Sequence, residues 1–350
     1  MQTYFIYIGT FIIACLLARV AERTNEKKFV WGIIFVLSLI SGLRNETVGI
    51  DTYNYLNAFE QIINGRLELA YGMEWSFRYI CYALSFVIKN AQIYFILFSV
   101  VTNTLIVLRL FQMCNWISFT WSIIIYYTMF FMMSMNLARQ FMAIAIVFYA
   151  TKYLQQGKGI KFLLCVLMAS FIHQTAIIGF IYFFFNILLW DTLKKKQKYF
   201  TLLFMVMSPF ALVYVGNIIG SYKKYFDVVT FDVGIVIFIK FIMLFSSLFL
   251  LNITKDDKFG EVAVLRKFSI IAYVLGLLLT SLGYVFKYVD RIGLYFYIFE
   301  AVYIGYIFKQ KNTRNNLMLK MLVFSVSAIY FVRSVFGDGQ GQSPYLFFWQ

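Results

Sequence analysis

Apolar stretches close to the length of a bilayer crossing recur from one end of this chain to the other, separated by short polar loops. About 30 Å of hydrocarbon takes roughly 20 helical residues to cross. Within it every backbone N–H and C=O must be bonded inside the protein, so only helices or a closed barrel can span. Unbroken apolar runs, without period-two alternation, select helices. The runs fall at 4–20, 29–43, 91–111, 117–136, 138–154, 160–173, 175–190, 199–219, 233–251, 266–286, 292–308 and 317–336. Composition agrees: 62% of the residues are hydrophobic and 13% charged, against about a quarter charged in a soluble domain. The expectation is an all-α, polytopic integral membrane protein, a single domain over 1–350, with about 12 transmembrane helices (about 11–13). Segment 73–90, "MEWSFRYICYALSFVIKN", mixes Arg78 and Lys89 with aromatics and reads as an interfacial or partly inserted piece.

Basic loops set the orientation. Arg23/Lys27/Lys28, Lys152/Lys158/Lys161, the "KKKQK" run at 194–198, Lys255/Lys258/Arg266/Lys267 and Lys309/Lys311/Arg314 all favour the cytoplasm. An even number of crossings satisfies them if both termini are extracytoplasmic, with 44–90 an outer loop or interfacial segment. The net charge of +15 is thereby a topology signal, and nucleic acid is not an expected partner. Piece 160–190 is too long for one span, and a single crossing would export the "KKKQK" loop. A tight hairpin with His173 at its outer turn resolves this. The cysteines, Cys15, Cys81, Cys114 and Cys165, stand singly and read as small apolar residues.

On this threading Arg44, Asp51, Arg139, His173, Asp290, Arg291 and Arg333 reach one depth, the extracytoplasmic ends of helices. A charge in or beside hydrocarbon costs about 2.5–3.5 kcal/mol on insertion scales, so such convergence points to a site. Lys240 and Glu300 lie nearer mid-span and form a possible pair. Each residue also has a structural reading. A lone histidine at a turn is often a hydrogen-bonded core residue, Asp290 and Arg291 are neighbours able to pair, and Arg333 can snorkel. Gly49 reads as a turn.

The stretches "RNETVGIDTYNY", "EWSF", "ARQFMAIAI", "FIHQTAI", "DRIGLYF" and "PYLFF" follow one another from about residue 35 to the C-terminus. In that order they resemble the EpsG/Wzy group of bacterial polysaccharide polymerases. The resemblance implies a glycosyltransferase at the outer face of the bacterial plasma (inner) membrane. It would move a growing chain from undecaprenyl pyrophosphate onto the terminal sugar of a fresh lipid-linked repeat unit, making capsule, O-antigen or exopolysaccharide. The implied partners are undecaprenyl-pyrophosphate-linked oligosaccharides, the bilayer, a flippase and a chain-length regulator.

The chemistry of that reaction fits the residues. A pyrophosphate leaving group calls for fixed positive charge, which Arg139, Arg291, Arg333 and Arg44 could supply by bidentate contact in place of a divalent metal. No metal or cofactor is therefore expected. The attacking hydroxyl must lose a proton, and a histidine ordinarily titrates near operating pH, so His173 is a candidate base. Asp51 could orient His173, bind sugar hydroxyls or be the base itself. Gln140, Tyr55, Glu74 and Asp290 are candidate substrate-binding groups, and Tyr53, Trp75 and Trp349 offer flat faces to sugar rings. Two competing functions remain. A transporter or flippase of the same lipid-linked sugars would need cations lining a path to both faces. An O-acyltransferase using His173 would need a conduit for its acyl donor. No P-loop, zinc motif or nucleophile elbow is present.

Overall fold

The structure, a computed structural model, describes residues 2–70, 72–189, 241, 242, 245, 261–283, 289–310, 317–337 and 341–350. The span expected at 199–219, most of that at 233–251, Lys240 and the "KKKQK" and "KDDK" loops lie outside these residues. Among the described residues the regular structure is helical. Among these residues five helices are long and apolar enough to cross a membrane: Thr3–Thr24, Ala91–Gln112, Val264–Leu282, Val289–Lys309 and Leu317–Phe336. Several shorter apolar helices coincide with other expected runs. The chain, expected as one domain, divides into two compact units. One comprises Met1–Tyr149, Cys165–Ile177 and Ser327–Gln350, and the other Ala150–Leu164 and Ile178–Val326.

In the first unit, α1 (Gln2–Thr24) turns at Asn25, whose φ is 56°, into α2 (Lys27–Gly42). A polar stretch follows, with α3 (Thr52–Ile63) and α4 (Trp75–Ser85). Next comes α5 (Ala91–Gln112), capped by Asn90, whose side chain accepts from the Gln92 N–H. The run α6 (Phe119–Ile125), a π-helical stretch (Tyr126–Phe131) and α7 (Met132–Asn136) ends at Leu137, and α8 (Ala138–Gln155) restarts at once.

Long-range hydrogen bonds sort these helix ends. At one end Tyr345 N donates to Thr3 Oγ1 at 3.0 Å and Tyr7 OH to the Gln342 carbonyl at 3.0 Å. There too Gln92 Nε2 donates to the Gly42 carbonyl at 2.6 Å and Gln342 Nε2 to Met132 O at 2.5 Å. At the other, Glu22 Oε2 accepts from Ser118 Oγ and from both the N–H and hydroxyl of Thr120. So α1, α2, α5 and α6–α7 alternate in direction, as the threading requires. Both described termini share an end with the 44–52 loop.

That loop is shaped by Gly49, with φ 94° and its N–H donating to the Gly341 carbonyl at 2.6 Å. A Cβ there would lie 2.4 Å from Asn136 Oδ1. Gly49→Ala should therefore lose about 1–3 kcal/mol of stability, read as a lowered melting temperature of the detergent-solubilised protein.

The helix within segment 73–90 is shorter than a bilayer crossing requires. Helix α4 has 11 residues, roughly 16 Å of rise. It buries Phe77, Cys81 and Ser85, while Trp75 (66%), Tyr79, Phe86 and Val87 stay exposed. An apolar outer face on so short a helix suits the membrane interface. Its inner face joins Phe59, Ile62 and Ala58 of α3 and Tyr94, Phe95 and Phe98 of α5 in one aromatic core.

In the second unit α9 (Gly159–Ile172) begins, and α10 (Ile181–Leu189), α11 (Glu261–Leu282), α12 (Val289–Tyr297) and α13 (Phe299–Lys309) follow. A Cβ on Gly276 would lie 2.4 Å from the Tyr297 nitrogen, so this glycine is what lets α11 and α12 approach backbone to backbone. Glu300 is fully buried and accepts from Tyr273 OH at 3.3 Å. The last long helix, α14 (Leu317–Phe336), passes into the first unit at Ser327, and the C-terminal segment follows it there.

Candidate active site

The break at Leu137 (φ −90°, ψ 46°) puts Arg139 in the first turn of α8. Just upstream, the π-helical stretch widens the turn and so re-aims the residues beyond it, a feature frequent near functional sites. Arg139 is 9% exposed. Its Nη1 donates to Glu74 Oε2 and its Nη2 to the Gly72 carbonyl at 2.6 Å. The guanidinium carbon lies 5.6 Å from the Tyr55 ring and 5.7 Å from the Phe77 ring, so a cation is held between aromatic faces.

Glu74 stands at the N-cap of α4 in extended conformation, yet its carboxylate does not cap that helix. Its other oxygen, Oε1, accepts from the Gln174 N–H at 3.3 Å and lies 3.9 Å from His173 Nδ1. His173 follows α9 directly and precedes the 3-10 turn Gln174–Phe180. The expected break in 160–190 therefore falls at the expected residue. Its Nδ1 is 2.7 Å from Thr175 Oγ1. Ser76 Oγ donates to the Phe171 carbonyl at 2.7 Å, tying the first turn of α4 to the end of α9. One carboxylate thus joins a cation and an imidazole from segments 65 and about 100 residues away in sequence.

Three contributors were not among the expected site residues. Arg78 donates from Nε to Met73 O at 2.9 Å and from Nη1 to Leu67 O at 3.2 Å, pinning the loop that presents Glu74. Thr175 engages the histidine, and Gly72, at φ 77°, offers its carbonyl to Arg139. Of these only Thr175, two residues from His173 in "HQT", carried a local signal.

The remaining expected residues divide. Tyr55 belongs to the cluster through Arg139, and Gln140 is buried beside Arg139 on α8. Asp51 precedes α3 half-buried, its side chain making no cap hydrogen bond; the carboxylate set against His173 is that of Glu74. Arg44 is 1% exposed and committed elsewhere. Its Nε donates to Thr52 Oγ1 at 3.1 Å, Nη1 to the Ser41 carbonyl and Nη2 to the Met135 carbonyl at 2.5 Å. Its guanidinium carbon sits 4.5 Å from the Phe95 ring. Burial pushes its pKa down to about 10, which leaves it charged at neutral pH. Three carbonyl or hydroxyl partners make Arg44 a clamp between α2, α3 and α7. Arg333 is exposed on α14. Asp290 and Arg291 occupy the first turn of α12 in the second unit. Among the described residues no group of three or more His, Cys, Asp or Glu is placed to hold a metal.

A family model for the EpsG family matches residues 27–347. The chain belongs to the EpsG family. No curated protein and no solved structure matches it. The matched region of this EpsG protein contains Glu74, Arg139 and His173 and stops within the C-terminal segment that packs on Arg44.

Glu74→Gln, which keeps the shape and removes the charge shared by Arg139 and His173, tests the cluster. Losing one charge-assisted partner is worth about 1.5–3 kcal/mol, so any activity resting on the cluster should fall roughly tenfold to a hundredfold. Initial rates of the reconstituted protein measure it.

Proposed function

We propose that this EpsG protein is a membrane glycosyltransferase that polymerises undecaprenyl-pyrophosphate-linked oligosaccharide repeat units at the extracytoplasmic face. Family membership supports a polysaccharide polymerase. The observation that carries the reaction is the Arg139–Glu74–His173 cluster. The cluster lies at the end of the first unit opposite the basic residues Arg19, Arg23, Lys27 and Lys28. The positive-inside rule assigns those to the cytoplasm and the cluster to the outer face.

In this reading the acceptor hydroxyl oxygen attacks the anomeric carbon of the growing chain as the bond from that carbon to pyrophosphate breaks. The hydroxyl proton passes to His173. In the tautomer whose Nδ1–H donates to Thr175 Oγ1, the accepting nitrogen is Nε2, and Glu74 stabilises the imidazolium that forms. The electron pair leaves with the pyrophosphate, whose growing charge Arg139 meets. Arg139 is fixed in advance by Glu74 and Gly72, so little reorganisation is needed as charge develops. Arg333 is a further pyrophosphate ligand in this proposal, Gln140 and Tyr55 bind sugar, and Asp51 is the alternative base; the roles expected of Arg291 and Asp290 rest on the sequence resemblance alone. Arg44 acts by holding the loop.

The test is direct. Purified protein in liposomes, given one lipid-linked repeat unit and no ATP, should build a ladder of longer glycans. Movement of the substrate across the bilayer without elongation would instead identify a flippase.

A further inference from the structure

A cavity of about 520 Å³ opens in the first unit apart from the Arg139 cluster. That volume is in the range of sites that hold small organic ligands. Four of its lining residues, Leu56, Glu60, Ile63 and Asn64, come from α3 and its C-terminal cap. Their spacing of i, i+4, i+7 and i+8 is one helix face. Tyr55, one position earlier, turns towards Arg139, so α3 serves both places.

The chemistry of the lining is distinctive. Its charged side chains are Glu46, Glu60 and Lys89, all exposed and, among the described residues, engaged in no hydrogen bond or ion pair. Asn64 and Asn90 add amides, and Leu56, Ile63 and Phe348 supply apolar surface. Two carboxylates against one ammonium repel pyrophosphate. The same acidic pair belongs to no group of three or more His, Cys, Asp or Glu among the described residues. Carboxylates and amides beside apolar side chains are instead what a chain of sugars needs: acceptors and donors for hydroxyls, and flat contact for the C–H faces of the rings. Phe348 is 45% exposed, and beyond it Trp349 stacks on Phe347 at 4.6 Å with 61% of its own surface open.

We infer that this cavity is a binding subsite for uncharged glycan, gripping sugars remote from the reacting bond. The inference rests on the polymerase reading and adds a substrate class to it: hydroxyl-rich sugars, not repeat units dense in acidic groups.

The probe is short, lipid-free oligosaccharide cleaved from the source cell's own surface polysaccharide, titrated into the full-length protein in nanodiscs. Wild type should bind it, and Arg139→Ala should bind it equally while failing to elongate. Glu60→Ala, and separately Leu56→Trp to fill the cavity, should weaken binding about tenfold or more, with melting temperatures reporting that each variant is folded. Phe348→Ala, at a surface position, gives a third reading should either fail to fold. If wild type elongates lipid-linked substrate but binds no free oligosaccharide, or the folded variants bind as wild type does, the subsite is wrong and the polymerase stands. If the oligosaccharide binds as described but no ladder forms, the subsite stands and the polymerase reading falls.

Discussion

Arg139→Ala should abolish elongation, with a fall of about 10²–10³ in rate from lost transition-state stabilisation alone. The same change takes from Glu74, whose side chain is 14% exposed, its arginine partner and leaves it the Gln174 N–H. Losing the charged partner of a mostly buried carboxylate adds a stability loss on the order of 1–3 kcal/mol. Arg139→Lys separates the two effects. A lysine retains the charge but cannot span Glu74 and the Gly72 carbonyl as a planar fork does. It should restore most of the stability and little of the rate. Single-turnover ladders beside thermal melting measure both. Full activity in the lysine variant would mean that charge alone suffices and that the fork geometry is incidental.

His173→Ala should lower the rate by about 10²–10⁴, the usual worth of a positioned base. The pH profile gives the sharper result. A base works unprotonated, so the wild-type rate should decline as pH falls. The variant should lose that acidic limb and become flat there. If the variant kept both the rate and the limb, the base would be another group, with Asp51 next in line.

Much of the fold was legible because bilayer length and apolar runs leave few solutions. The run at 91–111 became α5 (Ala91–Gln112), and that at 160–190 broke at His173. Gly49 proved a turn, as its place in a polar loop implied. Segment 73–90 was ambiguous because aromatics suit a span and an interface alike; only its helical length of 11 residues decided.

The site was legible in membership more than in wiring. Arg139 has no acid nearby in sequence, and its partner Glu74 stands 65 positions away, a distance that no local pattern encodes. Arg44 misled for a related reason. An arginine in an outer loop looks available for phosphate, and only packing reveals that backbone carbonyls have taken it. The cavity beside α3 was likewise invisible, since Glu46, Glu60 and Lys89 read as ordinary solvated charges.

The C-terminal segment has a consequence for biosynthesis. Tyr345 reaches Thr3 and Ile40, Gln342 reaches Met132, and Phe347 pairs with Arg44. Helices α1 and α2 are thus tied to a residue 342 and 305 positions later in the chain, so this end of the first unit closes late in synthesis.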